Sequence, residues 1–153
     1  HRRNLLERYQ DFDYNTRVSS MFGTILPAGL ANLAQRARVV IGKQVTDALE
    51  HVDVLVGAGS AGGAVPITDR PPITTKQEAL EKIYGVGKAA GQYTRVFSLA
   101  GVPAMAVPAG FTADGLPRSL HIAGRLFDEA TVLRVGHAFQ LETDWHGRQP
   151  PIA

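Results

Sequence analysis

From Leu30 to Val52 the apolar residues fall at positions 30, 33, 34, 37, 41, 45, 48, 49 and 52. Spacing of three and four residues is one stripe of an α-helix, and a stripe this long needs a second layer to cover it. Pro27 and Gly29 stand where a helix entry is expected. The opposite side carries Gln35, Arg36, Arg38, Lys43, Gln44 and Asp47 and reads as solvated. Directly after the stripe, Asp53 introduces Val54 to Val56, a β-branched run short enough for a buried strand. A long amphipathic helix feeding a buried strand predicts layers of helix on sheet.

The stretch VDVLVGAGSAGGAVP, residues 52–66, places Gly57, Gly59 and Gly62 in the spacing of a dinucleotide-binding fingerprint. That fingerprint works by aiming the first turn of a helix at a pyrophosphate. Here Pro66, Pro71 and Pro72 remove amide donors where that helix would begin, and no second strand ends in an acidic residue at the required distance. A nucleotide-binding module using Gly57, Gly59 and Gly62 therefore stands only as an alternative. A nucleophile elbow at Ser60 would need glycine at position 58, which is Ala58. A Ser60, His121 and Asp53 triad can be drawn only on paper, because five histidines make such a set easy to find by accident. The remaining reading of residues 57–75 is a pocket-lining loop at the carboxyl end of a strand.

Thr75 to Tyr84 reads as a polar helix opened by a Thr75/Glu78 capping box. Ala104 to Phe111 and Ser119 to Ile122 read as two strands of a hairpin turning at Asp114-Gly115. Pro108 confines the first of these to an edge or a bulge. Asp128 is placed to cap a last helix running to about Asp144, with Val132, Val135 and Phe139 on its buried stripe. Trp145 is expected to anchor that helix, and His137 and His146 to lie on a helix face and in the tail.

Composition removes several classes of function. The 153 residues are 44% hydrophobic and 20% charged with a net charge of +2, and like charges form no block, so neither a nucleic-acid nor a membrane patch is expected. There is no cysteine, which excludes thiolate metal sites and a cysteine nucleophile. No run approaches the roughly 18 apolar residues of a membrane span. No signal peptide opens the sequence, and a cytoplasmic location is the expectation. The first residue, His1, lies in helix-like sequence, and the methionines are Met21 and Met105, so the chain is expected to be a fragment of a longer protein.

The most informative run is TRVFSLAGVPAMAVPAGFTADGLPRSLHIAGRLFDEATVLRVGHAF, residues 94–139. It resembles the C-terminal half of the amidase signature family. Thr94-Arg95, Phe97, Leu99, Gly101 and Pro103-Ala104 match its first segment, and Val107-Pro108, Gly110-Phe111 and Gly115-Leu116-Pro117 match the next. Gly124-Arg125 and Phe127-Asp128-Glu129 precede the final helix as the pattern requires. Upstream, Thr16-Arg17, Gly23, Leu26-Pro27-Ala28 and Ala34-Gln35-Arg36 with Arg38 resemble the segment ahead of the family's Asp-x-Leu strand, here Asp53 to Leu55.

The resemblance implies an α/β fold, the C-terminal part of the amidase-signature fold, with a mixed sheet flanked by helices and incomplete as it stands. Residues 1–153 would be the C-terminal portion of that domain, with the N-terminal catalytic portion absent. It implies hydrolysis of carboxylic amides through an acyl-enzyme on a serine, activated by a lysine by way of a second serine in a cis peptide. Those groups belong to Gly-Gly-Ser-Ser-Gly-Gly and Gly-Gly-Ser-Ile-Arg segments that this chain lacks. No catalytic residue is assigned, the chain alone is expected to be inactive, and no cofactor or metal is expected. The substrate-pocket residues expected are Thr94, Arg95, Ser98, Gly57 and Ala58. Arg95 is open between orienting a carbonyl or carboxylate and serving as an ion-pair partner.

Gly101, Pro103 and Gly110 are read as close-packing positions, and His121 as a core or surface histidine. Several positions depart from the family pattern. Gly57-Ala58-Gly59 replace Thr-Pro-Thr, Ser98 replaces an asparagine, Ser119 a glycine and His121 a glutamine. The segment from Thr16 to Ala28 resembles free amidases more than it resembles the glutamyl-tRNA amidotransferase members of the family. The partners expected are a small-molecule amide and the missing N-terminal half. Without that half the chain should expose the face it covers and self-associate as a homo-oligomer. A noncatalytic interaction protein derived from an amidase half is the further alternative.

Overall fold

The computed structural model describes residues 2–12, 14–59 and 93–148. Three helices come first, α1 (Arg2–Glu7), α2 (Tyr14–Thr24) and α3 (Ala28–Glu50), followed by strand β1 (Val54–Ala58). Helix α4 (Tyr93–Ala100), strands β2 (Ala104–Phe111) and β3 (Pro117–Gly124) and helix α5 (Glu129–Leu141) complete the described chain. The helix proposed for Thr75 to Tyr84, and the glycine stretch from Ser60 onward, lie outside the described residues. The α/β class holds, and the described strands form one antiparallel sheet in the order β1-β3-β2.

The middle strand decides the packing. Successive side chains of a strand point to opposite faces. On one face Ala123 joins Val45 and Leu49 of α3, Phe97 of α4, and Val102. On the other, Ile122 packs with Val107 and with Val132 of α5. The expected stripe on α5 is present, with Val135 and Phe139 packed at its margin. Asp128 caps that helix by accepting from the Thr131 amide at 3.2 Å. The helix stops at Leu141, short of the expected end at Asp144.

The hairpin follows the sequence closely. Thr112 N–H donates to the Leu116 carbonyl at 2.8 Å, and Gly115 takes φ 77°, the left-handed backbone that the Asp-Gly pair makes accessible. Pro108 lies on the edge strand, and the register shifts between Pro108 and Phe111, so its missing donor is absorbed at a bulge on an edge.

Several expectations need correction. The loop assigned to residues 57–75 begins later, because Gly57 and Ala58 are paired strand residues of β1. The stripe on α3 is covered only near its C-terminal end, at Val45 and Leu49, while Leu30 and Leu33 remain exposed. Arg38 is exposed, as its place on the solvated side implies, and in addition donates from Nε to the Leu99 carbonyl of α4 at 2.8 Å. Gly42, one turn on, faces Ala100 of α4, and a Cβ there would make only an ordinary contact with the Ala100 Cα at 3.8 Å. Trp145 packs edge-to-face on Phe111 at the end of β2 and is stacked by Arg148, so the segment directly after the last helix is held to the strand end. Gly101 and Gly110 have φ of 80° and 116°, so backbone conformation, more than close packing, calls for glycine at both.

Arg125 closes the layers at one end. Its Nε donates to the Leu49 carbonyl at 2.9 Å and its Nη2 to the Val52 carbonyl at 3.0 Å, satisfying acceptors that the end of α3 leaves open. Asp53 completes the contact at 3.2 Å, but its side chain is 80% exposed, so the ion pair adds little. Arg125→Ala is expected to lower stability by about 1.5–3 kcal/mol and Asp53→Ala by less than about 1 kcal/mol, measured by urea unfolding. Gly124 sits against α5, where an added Cβ would come within 2.5 Å of the Val132 Cγ2. Gly124→Ala should destabilise by about 1–3 kcal/mol, whereas Gly23→Ala, with nothing within 4 Å, should be neutral or slightly stabilising in the same measurement.

Candidate functional site

The register across the sheet assembles a second, more polar end on the α4 side. Gly57, His121 and Ala106 stand abreast on β1, β3 and β2, one row beyond Leu55, Ala123 and Ala104. In the next row the Gly59 amide donates to the Ser119 carbonyl at 2.8 Å, and Ser119 pairs with Pro108. The apolar row thus gives way to one of glycine, imidazole and methyl group, then to glycine, hydroxyl and proline. This is the end of the sheet opposite the Arg125 contact.

Gly59 is required there by proximity. A Cβ at this position would run into the Ser119 hydroxyl and lie 3.1 Å from the Ser119 Cβ and 3.2 Å from its carbonyl oxygen. The two strands therefore divide the space unequally, β3 supplying the polar side chains and β1 little beyond backbone. The signal was present in the sequence as two period-two pairs, Gly57 with Gly59 and Ser119 with His121, but only the register shows that they face each other.

His121 is 9% exposed and its ring stacks on Phe97, with centroids 5.3 Å apart and planes 24° from parallel. Burial pushes its pKa below the ordinary 6.5, because a charged imidazole there would give up its hydration. Phe97 belongs to α4, and Thr94 lies one turn before it, half-buried on the same side. Ser98 and Arg95 are exposed. Thr94, Phe97, His121 and Gly57 are thus brought together around one stack. Ala58, expected beside Gly57 in the pocket, points to the other face of the sheet with Val54 and Val56, since adjacent strand residues alternate.

The paper triad does not form at its Asp–His step. Asp53 is bound to Arg125 before β1 begins, and His121 pairs with Gly57 four residues further along, about 13 Å away at strand rise. Ser60 lies outside the described residues. His137 and His146 are exposed on α5 and in the turn after it, as expected. Among the described residues no cluster of three or more His, Cys, Asp or Glu could hold a metal ion, and no helix is long and apolar enough to cross a membrane.

Antiparallel layers, a hairpin ending in Gly124-Arg125 and a capped final helix are the frame on which the sequence pattern sits. The Amidase family model matches residues 16–133, and the chain belongs to that family. Among its relatives, the GatA-type chain of the glutamyl-tRNA(Gln) amidotransferase of Chloroflexus aggregans is 37% identical over 156 residues, which is 95% of this chain and 29% of that protein. The fold is shared with solved structures. A protein from a vestigial complex, described as revealing the evolutionary origins of an s-triazine catabolic enzyme, aligns with a TM-score of 0.70 at 23% identity over 93% of this chain and 30% of its own. The corresponding amidotransferase chain of Thermotoga maritima aligns with a TM-score of 0.60 at 23% identity, over 91% and 30%. The chain therefore spans under a third of the length of these relatives.

The His121 shift has a definite sign. Because the folded pKa lies below that of the unfolded chain, the unfolded state takes up the proton first, so the contribution is level above about pH 6.5 and stability falls as the pH drops below it. Urea midpoints of wild type and His121→Gln, taken at pH 7.5 and 5.5, are expected to show a smaller acid loss in the variant.

Proposed function

We propose that residues 1–153 form the C-terminal portion of an amidase-signature domain in a protein that hydrolyses carboxylic amides, acting on non-peptide C–N bonds. The catalytic serine, the second serine in a cis peptide and the lysine would be carried by a portion of the protein outside this chain. In that mechanism the neutral lysine takes the proton of the serine pair, the serine attacks the amide carbonyl, and the amine departs before water releases the acid. This chain would contribute one wall of the cleft, with Gly57 at the sheet and Thr94 and Ser98 on α4. Arg95, exposed on the same helix, would reach a carbonyl or carboxylate at the rim. The observation that carries the reading is the family match over residues 16–133 in a chain spanning 29% of a relative that is 37% identical.

Two features support it. Leu30, Leu33 and Val40, on one side of α3, are all more than half exposed, an apolar surface of the kind that a further layer covers. The glycines of the nucleotide alternative are taken up differently: Gly57 is a paired strand residue, and the Gly59 amide is bonded to Ser119, so neither belongs to a phosphate loop opening a helix.

The reading frame upstream of His1 tests the proposal directly. A lysine followed in frame by the two serine-glycine segments is expected, and the complete product should release ammonia from benzamide, acetamide or glutamine while residues 1–153 alone release none. A stop codon close upstream, or a frame lacking both segments, would leave the noncatalytic interaction protein as the better reading.

A further inference from the structure

Helix α4 carries Thr94 and Ser98, assigned to the cleft, with Arg95 at its rim, and three of its contacts with neighbouring elements bear on its placement beside the packing of Phe97 in the apolar cluster. Two act near its C-terminal end. Arg38 donates to the Leu99 carbonyl at 2.8 Å, and Ala100 lies against Gly42. The third is the Phe97–His121 stack, one turn nearer Thr94. The other apolar neighbours of Phe97, Val45, Leu49 and Ala123, belong to the cluster that extends toward the Arg125 end. On the cleft side of the phenyl ring the imidazole stands between Gly57 and Ala106, whose side chains are too small to take over the contact.

We propose that His121 is a positioning residue of the candidate cleft: its ring, lying flat against Phe97, sets where Thr94 and Ser98 stand over the sheet. The contact needed is a flat face of the right size, and the glycine at position 57 leaves the room for it. The proposal rests on the reading of Thr94 and Ser98 as substrate-facing, so its test has one arm that is independent of any activity.

In the first arm, amide hydrogen exchange is followed in the 153-residue chain for α4 and, as an internal reference, for α5. His121→Ala and His121→Gln, which remove the ring, should speed exchange in α4 by roughly three- to tenfold, the equivalent of one aromatic pair, and leave α5 at the wild-type rate. His121→Phe, which restores a flat ring, should return α4 to wild type. If His121→Ala does not fold, His121→Gln gives the same readout with side-chain volume largely kept. Unchanged α4 exchange in the ring-less variants, or equal acceleration of α4 and α5, would overturn the proposal.

The second arm uses the complete gene product and benzamide. Misplaced cleft residues should raise KM by a factor similar to that seen in exchange, with kcat within about twofold of wild type, and His121→Phe should recover KM. A loss confined to kcat would also overturn it. If the wild-type product hydrolyses no amide, the functional reading fails, and the exchange arm alone decides the role of His121.

Discussion

Everything in this fold is arranged around a strand that is buried on both sides. Ile122 and Ala123 are adjacent in β3, point in opposite directions and are each fully inaccessible. Burying a side chain the size of isoleucine is worth about 1.5–3 kcal/mol, and that gain requires a layer on each face of the sheet. Helices α3 and α4 supply one layer and α5 the other. The same strand has both of its edges paired, to β1 and to β2, so its backbone groups are satisfied without water. A strand in this position fixes the register of both neighbours, because a slip of one residue would turn Ile122 and Ala123 to the wrong layers.

That register also gives the sheet two dissimilar ends. At one, Gly124 admits Val132 and Arg125 gathers the open carbonyls after α3, so strand, helix and the start of β1 meet through one guanidinium. At the other, apolar side chains give way to Gly57, Gly59, Ser119 and His121, and the phenyl ring stacked over them comes from α4. One end is thus closed by packing and a guanidinium, and the other presents small and polar side chains. The protein belongs to a family whose members of this similarity are more than three times its length.

Much of this could be read from residue order. The hairpin was legible because Asp114-Gly115 has a backbone requirement that acts over four residues, and the cap at Asp128 because its partner, Thr131, is three residues away. The edge position of Pro108 followed from a missing amide hydrogen. Each is a local constraint. Partners across elements have the opposite character. Helical periodicity gives Arg38 its exposed face but not the element its guanidinium reaches, the Leu99 carbonyl of α4. Nor does it give the partner of Trp145, Phe111, which lies on a strand far away in sequence.

The candidate site divides in the same way. The sequence by itself determined the family, the strand and helix types, the glycines at 57 and 59, and the presence of a serine and a histidine two residues apart. Only the tertiary structure decided that these two pairs lie opposite each other, that Ala58 faces away from Gly57, and that Asp53 serves Arg125 and not His121. The reason is that the pairing of β1 with β3 joins residues sixty or more positions apart. Which of them share a face depends on a register that the burial of Ile122 and Ala123 selects, and no local propensity encodes it.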